Sequence, residues 1–335
     1  MNNELMLAPK LPLSRYRLVF RFQGTNQLPA YSGSTWRGAF GAALKQTVCV
    51  VRNTPCQHCM LKDTCAYPYI FETPPPPHSE KMRLYNAAPH PFVIQSKLEK
   101  PQNTNELQLG FTLFGRSYRY LPYIIHAFEK AGKQGLGGKR QVFELIRVTQ
   151  TLDLPSIGTP PSARLDDQPV YQNGKLTQPA LPEIITVPDC PMEATINLET
   201  PLRIKQEGKN CNEDRLTYAA FFGSLLRRHS MLTYFHTDTP LETDFSRLME
   251  EAKSIQITEQ HLSWHDWTRY SSRQQTKMNM GGLLGTFAIK GDLQTFWPYL
   301  WLGQLTHTGK GTSMGLGAYR ITTSRSAAPG ARKRN

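Results

Sequence analysis

The sequence predicts an α+β protein in which one structural unit is used twice in tandem. Two segments with strand periodicity each open a series of matched landmarks, and a proline-rich stretch separates the two series. The spacing of the landmarks agrees between the halves as well as their order, which is the signature of an internal repeat.

The first opening strand is SRYRLVFRFQG, Ser14 to Gly24, where Tyr16, Leu18, Phe20 and Phe22 alternate with Arg15, Arg17 and Arg21. Alternation of this kind belongs to a strand with one buried face, here with a basic opposite face. Met192 to Ile204 repeats the pattern with Ala194, Ile196 and Leu198 inward. A helix follows each strand, Phe40 to Lys45 in the first half and Phe222 to Arg227 in the second, with Phe, Gly, Leu and a cation in register. Pro122-Tyr123 then starts an apolar helix leading to Gly135-Leu136-Gly137, and Pro298-Tyr299 starts another leading to Gly315-Leu316-Gly317. Strand, helix, further strands, helix, glycine turn and last strand make a split β-α-β unit, so each half is expected to be a ferredoxin-like (RRM-like) domain. The stretch from Leu154 to Pro191 holds eight prolines and marks an irregular connection. The predicted boundaries are 1–185 for the first domain, 186–323 for the second, and 324–335 for a disordered basic tail. Pro74 to Pro77 predicts an extended loop within the first domain.

Thirty-nine Lys and Arg against 26 Asp and Glu give a formal charge of +13. Such a balance favours a polyanion, nucleic acid first, through phosphate neutralisation and counterion release. No apolar run approaches the roughly 18 residues of a membrane span, so a soluble, cytoplasmic protein with no membrane partner is expected.

Four of the six cysteines, Cys49, Cys56, Cys59 and Cys65, fall within one short segment as C-x6-C-x2-C-x5-C. Four thiolates at this spacing suit a structural zinc site inserted in the first domain, with an iron–sulfur cluster as the alternative. A four-cysteine shell leaves no open position, so the metal is assigned to folding and no catalytic metal is expected. Cys190 and Cys211 read as small hydrophobes.

The segment HTGKGTSMGLGAY, His307 to Tyr319, brings Gly309, Gly311, Gly315 and Gly317 together with Lys310, Thr312 and Ser313. Glycine allows backbone amides to approach phosphate, and Lys310 adds a cation, so an RNA-binding loop is expected. A nucleotide P-loop fails on the letters, because Gly311 stands where Ser or Thr should follow Lys310. Upstream, Arg269, Arg273 and Lys277 are spaced by four among Trp267 and Tyr270, which suits a backbone groove with stacking platforms. Arg37, Arg227 and Arg228 are further candidate RNA contacts. A zinc-dependent DNA-binding regulator is the competing reading of the charge and cysteines.

Over nearly its whole length the chain resembles the CRISPR-associated repeat endoribonucleases of the RAMP superfamily, the Cas-six family. The resemblance rests on YSGSTWRGAFGAALKQTVC at Tyr31 to Cys49, PCQHCMLKDTCAYPYIFE at Pro55 to Glu72, TPLRIK at Thr200 to Lys205, and the two C-terminal segments above. It implies two tandem ferredoxin-like domains that bind CRISPR repeat RNA and cut the precursor into guide units, with other CRISPR effector subunits as possible partners. The implied reaction is metal-independent attack of the 2′-hydroxyl on the adjacent phosphate, leaving a 2′,3′-cyclic phosphate and a 5′-hydroxyl. Relatives read GAFGHAL where this chain has Ala42, so the histidine expected for proton transfer is replaced by a methyl group. Either the position has been substituted, or another residue such as His307 carries the role; Lys45 and Tyr31 complete the candidate catalytic set. The alternative function is a subunit that holds the repeat or its processed product without cutting it.

Overall fold

A computed structural model describes residues 8–73, 75, 88–96, 105–151, 168–206, 208–271 and 276–323. The 324–335 tail and most of the Pro74 to Pro77 run lie outside the described residues.

The first half begins with β1 (Leu13–Phe22), α1 (Gly33–Val48), β2 (Phe92–Gln95) and β3 (Glu106–Phe114). It continues with α2 (Leu121–Gln134), β4 (Phe143–Thr151), β5 (Gln168–Gln172) and β6 (Lys175–Leu176). β1 lies between β3 and β4, antiparallel to both, in a sheet of order β2-β3-β1-β4-β5-β6. The period-two pattern of β1 does what it predicts: Tyr16, Leu18, Phe20 and Phe22 are all buried. They pack against Trp36 and Phe40 from α1 and Phe128 from α2, with Phe20 stacked on Trp36 at 4.5 Å. Arg21, on the outer face, pairs with Glu106 at 2.9 Å.

The second half comprises β7 (Glu193–Leu202), β8 (Lys205–Gln206), β9 (Lys209–Asn210), α3 (Tyr218–His236) and α4 (Phe245–Glu251). Then come β10 (Gln256–His265), β11 (Thr268–Ser271), β12 (Thr276–Asn279), β13 (Gly282–Lys290), α5 (Trp297–Thr306) and β14 (Tyr319–Thr322). Its main sheet has the order β10-β13-β7-β14. Counting only the four principal strands of each half, both sheets place the first strand between the third and fourth and the second strand beyond the third. The repeat read in the sequence is therefore a repeat of topology. Ala194, Ile196 and Leu198 point into the second core beside Phe221, Phe222 and Trp297.

The described part of the proline-rich connection, from residue 168 onward, is ordered against the first half. Residues 168–176 form the β5–β6 hairpin, which extends the first sheet through β4. Further along, Leu13 and Glu183 exchange backbone hydrogen bonds of 2.9 and 3.0 Å. The chain thus stays tied to the first half almost to the start of β7, first along β4 through β5 and then at the start of β1.

The halves are packed together by apolar and polar contacts alike. Val93 and Phe114 join the second core. Arg116 donates to the Phe235 carbonyl at 3.2 Å and pairs with Asp238 at 2.7 Å. A β-carbon on Gly115 would stand 1.9 Å from the His236 carbonyl oxygen, which fixes how closely the end of α3 approaches.

Candidate nucleic-acid interface

Helix α1 buries Trp36, Phe40, Ala43 and Leu44 and leaves Gly38 and Ala42 exposed one turn apart. Among the described residues nothing lies within 4 Å of where a Gly38 β-carbon would be. The outer face of the helix is thus bare at this point, with room for a ligand backbone. Beside it, residues 37, 41 and 45 run over an aromatic wall. A β-carbon on Gly41 would stand 2.2 Å from the tip of the Phe71 ring, so a larger residue here would push that ring aside. The Arg37 guanidinium lies 4.5 Å from the Phe71 centroid and the Lys45 ammonium 5.4 Å from that of Tyr67. Cation–π contacts of this kind hold long side chains in place. His90 lies against both Phe71 and Phe92, and its Nε2 lies 2.7 Å from Arg37 Nη2. Burial first, then Arg37, Arg228 and His236, push the His90 pKa down to about 3, so its neutral ring accepts the arginine proton.

The glycine-rich segment departs from its expected role. After α5 the chain turns at His307 with φ +58° and passes through a tight turn at Thr312–Met314 flanked by Gly311 and Gly315, both at positive φ. It is held against the first half instead of standing free. A β-carbon on Gly315 would lie 2.4 Å from the Ile94 carbonyl oxygen, and one on Gly33 would lie 2.0 Å from that of Met314. The Tyr31 hydroxyl donates to the Met314 carbonyl. The Thr200 hydroxyl donates to the Gly315 carbonyl at 2.7 Å and accepts from the Ala318 amide at 2.9 Å. Arg37 donates to Ser313 Oγ at 3.1 Å. Thr312, Ser313, Gly315 and Gly317 are buried, Gly309 and Gly311 are half-buried, and Lys310 is exposed. The glycines serve close backbone packing, and within the expected RNA-binding loop only Lys310 faces solvent as a charged group.

Lys310 has neighbours that were not singled out in the sequence. Its amide donates to the Arg203 carbonyl at 2.9 Å. Its pKa is lowered by partial burial first and then by the charges of Lys205 and Arg203. These three cations gather where β7 runs into the β8–β9 hairpin, on either side of the glycine turn. The signal for Arg203 and Lys205 lay in TPLRIK, where a strand end with two cations two residues apart presents both to one side.

Other candidates fall differently. Arg227 is exposed on α3. Arg228, its neighbour, is buried, donates Nε–H to the Thr306 carbonyl at 2.6 Å, and has its pKa pushed down to about 9 by burial. It is an interior residue, because one step along a helix turns the side chain about 100°. Arg269 and Lys277 lie on β11 and β12, one register position apart, since Arg269 pairs with Met278 and Tyr270 with Lys277. Arg273 lies outside the described residues. Trp267, immediately before β11, packs edge-on against Tyr31 at 4.6 Å, which plants the hairpin beside the start of α1.

His307 is buried with Nδ1 3.3 Å from the Leu316 carbonyl. Burial first, then Arg228, push its pKa down to about 3. A proton-transfer group must reach its substrate, and His307 is enclosed by the loop it organises. His229 and His236 are fully buried nearby, lowered to about 3 and about 4, again by burial first. His236 Nε2 lies 2.8 Å from the Pro89 carbonyl and its Nδ1 3.3 Å from the Tyr69 hydroxyl. His236 thus ties the end of α3 to the first half, whereas His229 bonds to Thr306 Oγ1 at 2.9 Å within the second half.

The four clustered cysteines are all free and half-buried, and all four line one small pocket with Val48, Val51, Leu61 and Tyr67. The Cys56 thiol is pushed up by burial first and then by Glu72, with smaller contributions from Cys49 and Cys65. Among the described residues no three His, Cys, Asp or Glu side chains are drawn into a ready-made metal-ligand set. The zinc expectation therefore rests on spacing and on the shared pocket.

Two family models match successive parts of the chain. The first, described as the AF_1859_N N-terminal domain, matches residues 11–182, about half of the chain, and the second, described as CRISPR-associated endoribonuclease Cas6, matches residues 196–319. A curated protein of Archaeoglobus fulgidus, itself called uncharacterized, is 24% identical over 178 residues, 53% of this chain. The match spans 60% of that relative's length. Among solved structures, a Cas6 product complex superposes with a TM-score of 0.55 at 15% identity, covering 92% of this chain and 99% of that one. The Thermus thermophilus Cas6 gives 0.51 at 13% identity over 93% and 98%. A partial Cas6-RT-Cas1–Cas2 complex gives 0.53 at 14% identity, covering 96% of this chain and 48% of that one. At these identities the structures show a shared two-domain fold.

Proposed function

Because this chain belongs to the Cas6 family of CRISPR-associated proteins, we propose that it binds CRISPR repeat RNA across α1 and the basic edge formed by Arg203, Lys205 and Lys310, its two halves being tandem ferredoxin-like domains. The observation that carries this reading is the link from Arg37 to Ser313 at 3.1 Å, which joins the bare face of α1 to the turn that bears Lys310. Cations from both halves thereby border one continuous surface. Phosphate contacts of this kind supply affinity and register.

The chain as it stands holds the repeat with little cutting. In-line attack by a 2′-hydroxyl needs a base, an acid and a cation for the phosphorane. Ala42 offers a methyl group, His307 is enclosed, and the Tyr31 hydroxyl is engaged with Met314. Lys45, half-buried over Tyr67, is left to meet the charge. The cleaving reading is favoured by the same bare face of α1, where a histidine at position 42 would project beside Lys45. Other CRISPR proteins are the partners this reading brings with it.

Labelled repeat RNA, with and without a 2′-deoxy residue at the scissile position, would be incubated in EDTA with the protein and with Ala42→His. Binding by both proteins, with cleavage gained by A42H on the order of 10² to 10⁴-fold and abolished by the 2′-deoxy residue, is the expected outcome. Equal cleavage by the two proteins would remove position 42 from the chemistry. Failure of either to bind would remove the RNA reading altogether.

A further inference from the structure

Between the last turn of α1 and Ala66 the chain folds without a core of its own. From Cys49 to Cys65 no residue is fully buried, and the half-buried ones are the four cysteines with Val51, Thr54 and Lys62. Larger apolar side chains point outward: Val50 is 77% and Met60 91% exposed. Yet the segment is specifically shaped. The Cys49 amide still bonds to the Lys45 carbonyl, a short helical turn runs from Cys56 to His58, and the Cys59 and Cys65 amides close onto the Cys56 and Leu61 carbonyls. A stretch this long that turns four thiols inward and its hydrophobes outward needs a cross-link other than apolar contact.

Neither pairing nor packing supplies it. All four cysteines are free, and His58 is exposed. Two of the thiols, Cys56 and Cys65, also lean on the first-half core. All four sulfur-bearing residues line one pocket, with Cys49 and Cys65 at opposite ends of the segment. We propose that Cys49, Cys56, Cys59 and Cys65 bind one zinc ion as a tetrathiolate, closing the segment onto the C-terminus of α1. Four soft, charged ligands suit zinc and leave no position for a reacting group. Among the described residues the thiols are not yet gathered into a ligand set, so ligation must draw the sulfurs into the pocket they share, as is usual where ligation and local folding occur together. The ion then fixes Tyr67, which borders the same pocket and carries Lys45 on its ring.

The test uses the full-length protein purified without chelator. Elemental analysis is expected to give one zinc per chain, and Cys56→Ser together with Cys59→Ser to give none. Replacement by cobalt is expected to give the intense near-ultraviolet thiolate-to-metal band and the visible pattern of tetrahedral sulfur coordination. Thiol titration of the native protein is expected to leave these four cysteines unreactive until zinc is removed. Substoichiometric zinc with four freely reactive thiols would overturn the proposal, as would iron with acid-labile sulfide. Because none of these readouts involves RNA, they stand or fall apart from the repeat-binding reading.

Discussion

Gly33 and Met314 come from opposite halves of the chain and meet with no space for a side chain between them. The β-carbon that alanine would bring to position 33 falls 2.0 Å from the Met314 carbonyl oxygen. That oxygen also accepts the Tyr31 hydroxyl, so the turn at 312–314 is gripped from two sides by residues that lead into α1.

Gly33→Ala should therefore loosen the joint between the halves. Overpacking against backbone costs about 1–3 kcal/mol, and the loss should appear in thermal or urea unfolding together with weaker repeat binding. A variant that melts with the parent protein would mean that the contact yields without cost.

His307→Ala separates structure from chemistry. Loss of the ring leaves the buried Leu316 carbonyl short of a partner, a cost of about 1–3 kcal/mol. In an Ala42→His background, the same change should leave cleavage per folded molecule unaltered. A collapse of the cleavage rate without a change in unfolding would restore His307 to the reaction.

Acid should destabilise the folded protein. Burial holds the pKa values of His90, His229, His236 and His307 at about 3 to 4, well below the 6.5 of a free imidazole. The unfolded chain thus binds their protons first as pH falls. Stability is complete above pH 6.5 and declines below it, by up to about 1.4 kcal/mol per pH unit for each ring. Urea unfolding at pH 7.5 and pH 5 measures this, and His229→Gln should flatten the difference. A stability unchanged between those pH values would contradict the burial of the rings.

Arg228→Met and Lys310→Ala should act in opposite places. Arg228 depresses all four histidines and faces the interior, so the methionine variant should soften the acid sensitivity and leave repeat affinity within about twofold. Lys310→Ala should weaken binding of all RNA sequences and lower the salt slope by about one counterion. The reverse assignment of effects would exchange the two roles.

The strands, helices and repeated topology were legible because period-two burial and helix landmarks are local properties of Tyr16 to Phe22, Ala194 to Leu198, Phe40 and Phe222. The site was less legible. Gly315 looks the same in sequence whether its neighbour is a phosphate or the Ile94 carbonyl, and only the packed chain distinguishes them. Arg227 and Arg228 sit on a helix that is apolar on most sides, so no stripe indicated which one turns inward. His90 stands in an irregular segment with no periodicity, and its place beside Arg37 depends on the register of β2.

The joint at Gly33, Tyr31 and Met314 also makes the two halves a bracket of set angle. A ligand laid across both would meet a mould already cast, and its association rate would report encounter instead of domain closure. Retuning the width of that mould calls for residues inserted or deleted in the 309–314 turn, because side chains added at Gly33 or Gly315 meet backbone.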